Sequence, residues 1–394
     1  MKILLIHNQY KHAGGEDSVF QTEKDILEAN HHLVKEIYFY NSTLNGWFDW
    51  LKSSYLLFYN RRSERIVTEA IKTFKPDIVH VHNFFYIASP SIFFSAYKNK
   101  IPIILTLHNY RLICSGALLM RNNIPCELCV GKILPLNGII YGCHRSSKIQ
   151  TAQLTFITSL HKVIKTWNTK ISMYITLTEF SRNVFLNSSL KLHPDQIVVK
   201  SNSVSDTLPS DAYSREDYFL FVGRLSEEKG IRVLLKAFES KNIQVEIIGD
   251  GPMKSEVQRA ASTNHNILYS GYKDREYIIN RLKKCKATIV PSICYEGLPM
   301  IILESFSTST PVLISDMKNL NEIIKDRYNG IHFKANDATD LYRVVEEFYN
   351  NSNAYYHLYD HARETFIAKY THQINYNNLI SIYSNAIKKK CVQK

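Results

Sequence analysis

The chain has 394 residues, with 48 Lys and Arg against 36 Asp and Glu and a formal net charge of +12. That length exceeds what one hydrophobic core usually serves, so two domains are expected, and a 45% apolar content without low-complexity tracts excludes a disordered or fibrous chain. The positive balance calls for an anionic partner: nucleic acid, an acidic membrane face or a phosphorylated substrate. No apolar run is long enough to cross a bilayer, because the best stretch, Ile101 to Met120, is broken by His108, Asn109 and Arg111. The opening MKILLIHNQ is too short for the core of a signal peptide, so a cytoplasmic chain is expected.

KILLIH (Lys2–His7) predicts a short buried strand, followed by a loop with Gly14 and Gly15. A helix is expected from Glu16 to about Asn30, with Val19, Ile26 and Leu27 on one face. WFDWLKSSYLLFYNRRSER (Trp47–Arg65) joins two tryptophans and further aromatics to a basic end. It reads either as an interfacial amphipathic helix in peripheral contact with the inner membrane face, or as a packed helix with a solvated end. DIVHVH (Asp77–His82), PIILTLH (Pro102–His108), YITLT (Tyr174–Thr178) and QIVVKSN (Gln196–Asn202) continue the series. Continuous apolar strands bracketed by helices indicate a parallel sheet covered on both faces. Among them lie Cys114, the C-x-x-C pair Cys126 and Cys129, and Cys143 followed by His144. Disulfides are not expected in the cytoplasm, so this spacing points to a closed, structural four-thiolate zinc site, with His144 able to replace Cys143, or to a set of buried thiols.

SNSVSDTLPSDAYSRED (Ser201–Asp217) is polar and turn-rich, and serves as the expected linker. Beyond it the alternation restarts with YFLFVG, a helix from Gly230 to Glu239, QVEIIGDG, NILYSGY, ATIVPS and PVLIS. The expected architecture is α/β, with two Rossmann-like doubly wound domains facing a central cleft: residues 1–205, and residues 206–371. The last helix, 372–394, is expected to return to the first domain. Such sheets bind ligands at the C-terminal ends of their strands.

Three junctions carry the chemistry. VGRLSEEKG (Val222–Gly230) puts Arg224 and Lys229 just after a strand, where a guanidinium and a mobile ammonium suit a diphosphate; alone they also read as two solvated cations. IIGDGP (Ile247–Pro252) is a strand–turn–helix junction whose Gly249 and Gly251 let a ligand approach backbone, or simply make a tight turn. CYEGLPMIILESF (Cys294–Phe306) sets Glu296 before a helix and Glu304 within it. Pro299 is expected as its first or second residue, which directs both carboxylates to the anion-attracting helix N-terminus.

Together GRLSEEKG, GDGP, Gly271-Tyr272, Pro291-Ser292 and the pair Glu296/Glu304, with GGED and LTLHN in the first half, resemble the retaining nucleotide-sugar glycosyltransferases of the GT-B fold, family four (glycosyl transferases group 1). The resemblance covers nearly the whole chain. It implies that Glu304 holds the nucleotide ribose and that Glu296 touches the donor sugar, beside the amides of Gly297 and Leu298. Arg224 and Lys229 would neutralise the leaving diphosphate, with Gly249 and Tyr272 also at the nucleotide sugar. It further implies His108 near the donor sugar, a backbone contact from Gly15 to phosphate, and same-face attack assisted by the leaving phosphate. The implied partners are a nucleotide-diphosphate sugar and a glycan or lipid-linked acceptor in surface polysaccharide synthesis, not nucleic acid. No Asp-x-Asp pair occurs in the chain, so side-chain cations and a helix dipole are expected to replace a catalytic metal. A GT-B epimerase and a catalytically degenerate, zinc-containing binding or scaffold protein are the competing readings. Four intact charged residues, Arg224, Lys229, Glu296 and Glu304, argue against the scaffold.

Overall fold

Strand β1 (Lys2–Gln9) forms because its apolar run can be buried on both faces, and Ile3 to Ile6 have no exposure at all. The structure is a computed structural model and describes residues 1–9, 14–40, 57–208 and 214–392. The chain divides into two compact units. Unit 1 comprises Met1–Leu118, Glu127–Asn202 and His372–Lys394; unit 2 comprises Leu119–Cys126 and Ser203–Thr371.

In unit 1, β1 lies between β2 (Leu33–Tyr40) and β3 (Ile78–Val81), and β3 pairs with β4 (Ile103–Leu107). A two-stranded hairpin follows, β5 (Met120–Arg121) and β6 (Ile124–Pro125), which groups with unit 2. The unit 1 sheet then resumes with β7 (Met173–Thr176) and β8 (Ile197–Val199), giving the all-parallel order β2-β1-β3-β4-β7-β8. Helix Gly15–Ala29 starts where the Asp17 carboxylate accepts the Gly14 amide at 2.7 Å, and helix Arg61–Phe74 where Asn60 accepts from Arg62 and Ser63. Helix His372–Val392 completes this core, with Leu379, Ile382, Tyr383 and Ala386 packed against Ile3, Leu5, Phe20 and Ile104.

Unit 2 has β9 (Tyr218–Val222), β10 (Gln244–Ile248), β11 (Ile267–Gly271), β12 (Ala287–Val290), β13 (Val312–Ser315) and β14 (Gly330–Phe333). Their order is β11-β10-β9-β12-β13-β14, again parallel throughout. Phe219, Phe221, Leu234, Val245 and Ile289 anchor its largest core. The strand order reverses between β9 and β12 in unit 2, and between β1 and β3 in unit 1. At each reversal the two loops leaving the strand ends diverge and open a crevice.

Several local expectations shift. Pro299 precedes the helix, which runs Met300–Ser307, and its ψ of 120° is extended rather than helical. The helix after the first unit 2 strand begins at Ile231, because Gly230 takes a left-handed φ of 72°. The aromatic stretch from Trp47 lies outside the described residues as far as residue 56.

Candidate functional site

The unit 2 crevice is built by the loops leaving β9, β10 and β12, locked backbone to backbone. A Cβ on Gly230 would stand 1.8 Å from the Pro291 carbonyl, and one on Gly249 1.9 Å from that of Gly223. Both glycines have positive φ, so no other residue fits this seam without moving a loop. Ile293 N–H further donates to the Glu228 carbonyl at 3.0 Å.

Into this frame the structure brings Glu296 and Lys229. The Lys229 ammonium donates to one Glu296 oxygen and the Ser292 hydroxyl to the other. The Asn319 amide donates to the Glu296 carbonyl at 2.9 Å, so both ends of the residue are held. Burial opposes the charge on Lys229, but the Glu296 carboxylate outweighs it and holds the ammonium above its ordinary range. Arg224, expected as the partner of Lys229, is exposed and makes no ion pair among the described residues. The two cations are therefore unlike: one fixed, one able to swing. Ser292 was legible as part of a motif without a role, whereas Asn319 carried no local signal.

Glu304 sits four residues into helix Met300–Ser307, largely covered, with Arg275 Nε 3.4 Å from its Oε1. Burial pushes its carboxyl above the usual range, and Arg275 opposes this. Arg275 begins helix Arg275–Leu282, which Asp274 caps by accepting the Tyr277 amide at 2.8 Å. Tyr272, at the end of β11, is 80% exposed, which leaves its ring free to stack on a planar ligand.

Unit 1 gathers a different set at and below its own reversal point. His108 follows β4, is half-buried, and its Nε2 lies 3.1 Å from Nδ1 of the buried His82. Behind them Glu23 faces His82 Nε2 at 3.4 Å and accepts from the Lys200 ammonium at 2.5 Å. His80 is saturated, with Tyr383 and Thr106 hydroxyls each at 2.8 Å. Burial holds His80, His82 and His108 below the ordinary imidazole range, so all three are neutral. Burial opposes ionisation of Glu23 as well, but Lys200 wins and keeps its carboxyl well below the usual range.

Beside this cluster, Gly15 opens the helix N-terminus after β1. Asn83 Nδ2 donates to the Asn8 carbonyl at 2.7 Å and to Glu16 Oε1 at 3.2 Å. Burial, reinforced by Asp17 and opposed by Arg111, pushes the Glu16 carboxyl up to about 8. Asn8 and Asn83 escape a reading by motif, and Glu16 stands within GGED without a role, because their meeting depends on which strands are neighbours.

The zinc expectation is corrected. Among the described residues, the only three His, Cys, Asp or Glu side chains with ligand atoms mutually within 4.8 Å are Glu23, His80 and His82, not Cys114, Cys126, Cys129 and Cys143. Cys114, Cys129 and Cys143 share unit 1 and still do not converge, while Cys126 groups with unit 2 through the hairpin β5–β6. His144, the alternative ligand, instead contacts the Tyr86 hydroxyl through Nε2 at 3.1 Å. The Glu23 group does not suit a metal either, since Lys200 occupies its carboxylate and hydroxyls occupy His80.

Residues 209–365 match the family model for glycosyl transferases group 1. Over 281 residues the chain is 27% identical to an uncharacterised glycosyltransferase of Methanocaldococcus jannaschii, covering 70% of this chain and 66% of the relative. It is 26% identical over 219 residues to O-antigen chain mannosyltransferase C of Escherichia coli, covering 52% of this chain and 58% of that one. The chain thus spans under two thirds of the length of the first curated relatives that it matches. In structure it is similar to Anabaena HepE in complex with UDP-glucose, with a TM-score of 0.67 and 13% identity over 98% of this chain and 100% of that one.

Proposed function

Starting from a chain that belongs to the group 1 glycosyltransferases and has the GT-B fold, we propose that it transfers a hexose from a nucleotide-diphosphate sugar to a glycan or lipid-linked acceptor in surface polysaccharide synthesis. The observation that carries this reading is the Lys229–Glu296–Ser292 constellation at the β9/β12 reversal, a carboxylate held in place beside a cation in a crevice suited to phosphates.

In this proposal Glu296 receives the donor sugar, and the amides of Gly297 and Leu298 read its hydroxyls and phosphate. Glu304 holds the ribose, its raised carboxyl favouring hydrogen bonds to hydroxyls. Gly249 and Tyr272 border the nucleotide. Lys229 and the unpaired Arg224 take up charge as the diphosphate leaves, a term that grows in the transition state and therefore accelerates the step. His108 approaches the donor sugar, and Gly15 offers an amide to phosphate. The acceptor attacks with retention, its proton passing to the leaving phosphate, without a catalytic metal, in the cytoplasm. The O-antigen and UDP-glucose contexts of the similar proteins support the donor and acceptor classes.

Mass spectrometry of products formed from a panel of nucleotide sugars with membrane extract tests the proposal. A new glycoconjugate with release of nucleotide diphosphate is expected. Donor binding without turnover under any of these conditions would instead favour a binding protein on the transferase fold.

A further inference from the structure

Helix Arg275–Leu282 opens on a cation, the charge that the positive end of its own backbone dipole disfavours. The turn that carries Arg275 is firmly held. Asp274 caps it by accepting the Tyr277 amide at 2.8 Å, and the Lys273 ammonium lies 4.9 Å from the centre of the Tyr277 ring. The Tyr277 hydroxyl donates to Glu246 at 3.1 Å. Glu246 has no exposure, lies in β10, and also accepts from the Ser270 hydroxyl at 2.6 Å and from Arg281 Nε at 2.5 Å. One buried carboxylate thus ties β10 to the end of β11 and to both turns of the helix.

What offsets the misplaced cation is Glu304, whose Oε1 lies 3.4 Å from Arg275 Nε. The arginine side chain is 50% exposed and the glutamate 16%, so the guanidinium stands on the solvent side of a mostly covered carboxylate. Two influences act on that carboxyl: burial, which favours the protonated form, and Arg275, which opposes it. An ionised carboxylate accepts through both oxygens, whereas a protonated one turns an oxygen into a donor and loses its match to two ribose hydroxyls. Burial makes Glu304 a strong acceptor and, by the same cause, brings it close to protonation. Given Glu304 as the ribose carboxylate, the assignment on which this rests, we propose that Arg275 is the positioning residue of the nucleotide site. Its guanidinium fixes one oxygen of Glu304 and keeps the group ionised, so that the ribose always meets an acceptor.

The test is calorimetry of the full chain with a bare nucleoside diphosphate, UDP or whichever of UDP and GDP binds more tightly, between about pH 5 and 8.5. Without Arg275 the carboxyl protonates at a higher pH, so binding should begin to fail at a higher pH as the solution is acidified. Arg275→Gln should bind within about twofold of the wild type at the alkaline end and about tenfold more weakly at the acidic end. Its melting temperature should hold, because the replaced group is half exposed. Arg275→Lys, which keeps the charge, should restore the wild-type profile. On a Glu304→Gln background, Arg275→Gln should add no pH dependence, which separates this effect from titration of the nucleotide phosphates. An Arg275→Gln profile parallel to the wild type would overturn the proposal. So would tighter binding by that variant at every pH, since Arg275 would then compete with the ribose. Equal affinity of the wild type for the 2′,3′-dideoxy diphosphate would overturn the ribose assignment itself, whatever the pH profile.

Discussion

At the scale of single residues, the buried pair Glu23–Lys200 decides where a proton sits some distance away. An ionised carboxylate only accepts, so neutral His82 is expected to carry its proton on Nε2, which lies 3.4 Å from Glu23 Oε2 without closing a hydrogen bond. Its Nδ1 would then accept from His108 Nε2–H across 3.1 Å, leaving His108 Nδ1 as an acceptor, which in the proposed reaction serves a sugar hydroxyl. Glu23→Gln reverses the chain, because Lys200 selects the amide oxygen and turns the amide N–H toward His82. Long-range nitrogen NMR on histidine-labelled protein should show His108 protonated on Nε2 in the wild type and on Nδ1 in the variant, with turnover down about tenfold. An unchanged His108 tautomer in folded Glu23→Gln would refute the relay. In unit 2 the two glutamates should fail differently. Glu304→Ala should weaken binding of the bare nucleotide diphosphate by about 1.5–3 kcal/mol, while Glu296→Ala leaves that affinity nearly intact and loses turnover. Equal calorimetric losses for both would remove the division of labour.

At the scale of elements, the N-terminus of helix Gly15–Ala29 carries a carboxyl raised from 4.5 to about 8. A group raised in the folded state adds stability that is complete below its unfolded pKa and is lost as pH climbs through the folded one. Stability should therefore decline between about pH 4.5 and 8, and Glu16→Gln should flatten that decline. Superimposable melting-temperature profiles for the two proteins would show that Glu16 is solvated. The β9–β12 seam makes a second case: Gly230→Ala meets both a left-handed φ and the Pro291 carbonyl, and should cost at least about 1–3 kcal/mol and loosen donor binding. Chemical denaturation measures this, and a neutral result would mean that the seam is soft. How much was legible follows the same physics. Most strands of both sheets announce themselves as apolar runs, and Lys229 and Glu296 as residues next to strand ends. The edge strands β2, interrupted by Lys35 and Glu36, and β14, only four residues long, carry no such run and were not expected. Asn319 reaches Glu296 across 23 positions, and Arg275 reaches Glu304 across 29, so no local period records either contact. The cysteine spacing misled because spacing does not fix where the sulfurs point: Cys114, Cys129 and Cys143 share unit 1 without converging.

At the scale of the molecule, the reaction proposed here has its cations built into the chain, so brief EDTA treatment should leave initial rates unchanged. Activity abolished by EDTA and restored by Mg²⁺ or Mn²⁺ would mean that Lys229 and Arg224 do not suffice for the leaving diphosphate. Purified protein should likewise keep its melting temperature in chelator, because Cys114, Cys126, Cys129 and Cys143 do not converge on one point. The last helix has a different kind of consequence. Its Leu379 and Tyr383 fill the core around Ile3 and Leu5, and its Tyr376 hydroxyl meets His32, which itself contacts the N-terminal amine. Synthesis on the ribosome ordinarily lets the earlier domain settle first. Here the order inverts: the main body of unit 2, Ser203–Thr371, has emerged whole while the core of unit 1 still lacks its final wall. The part of the chain that is made first is thus the part that waits longest in the company of chaperones.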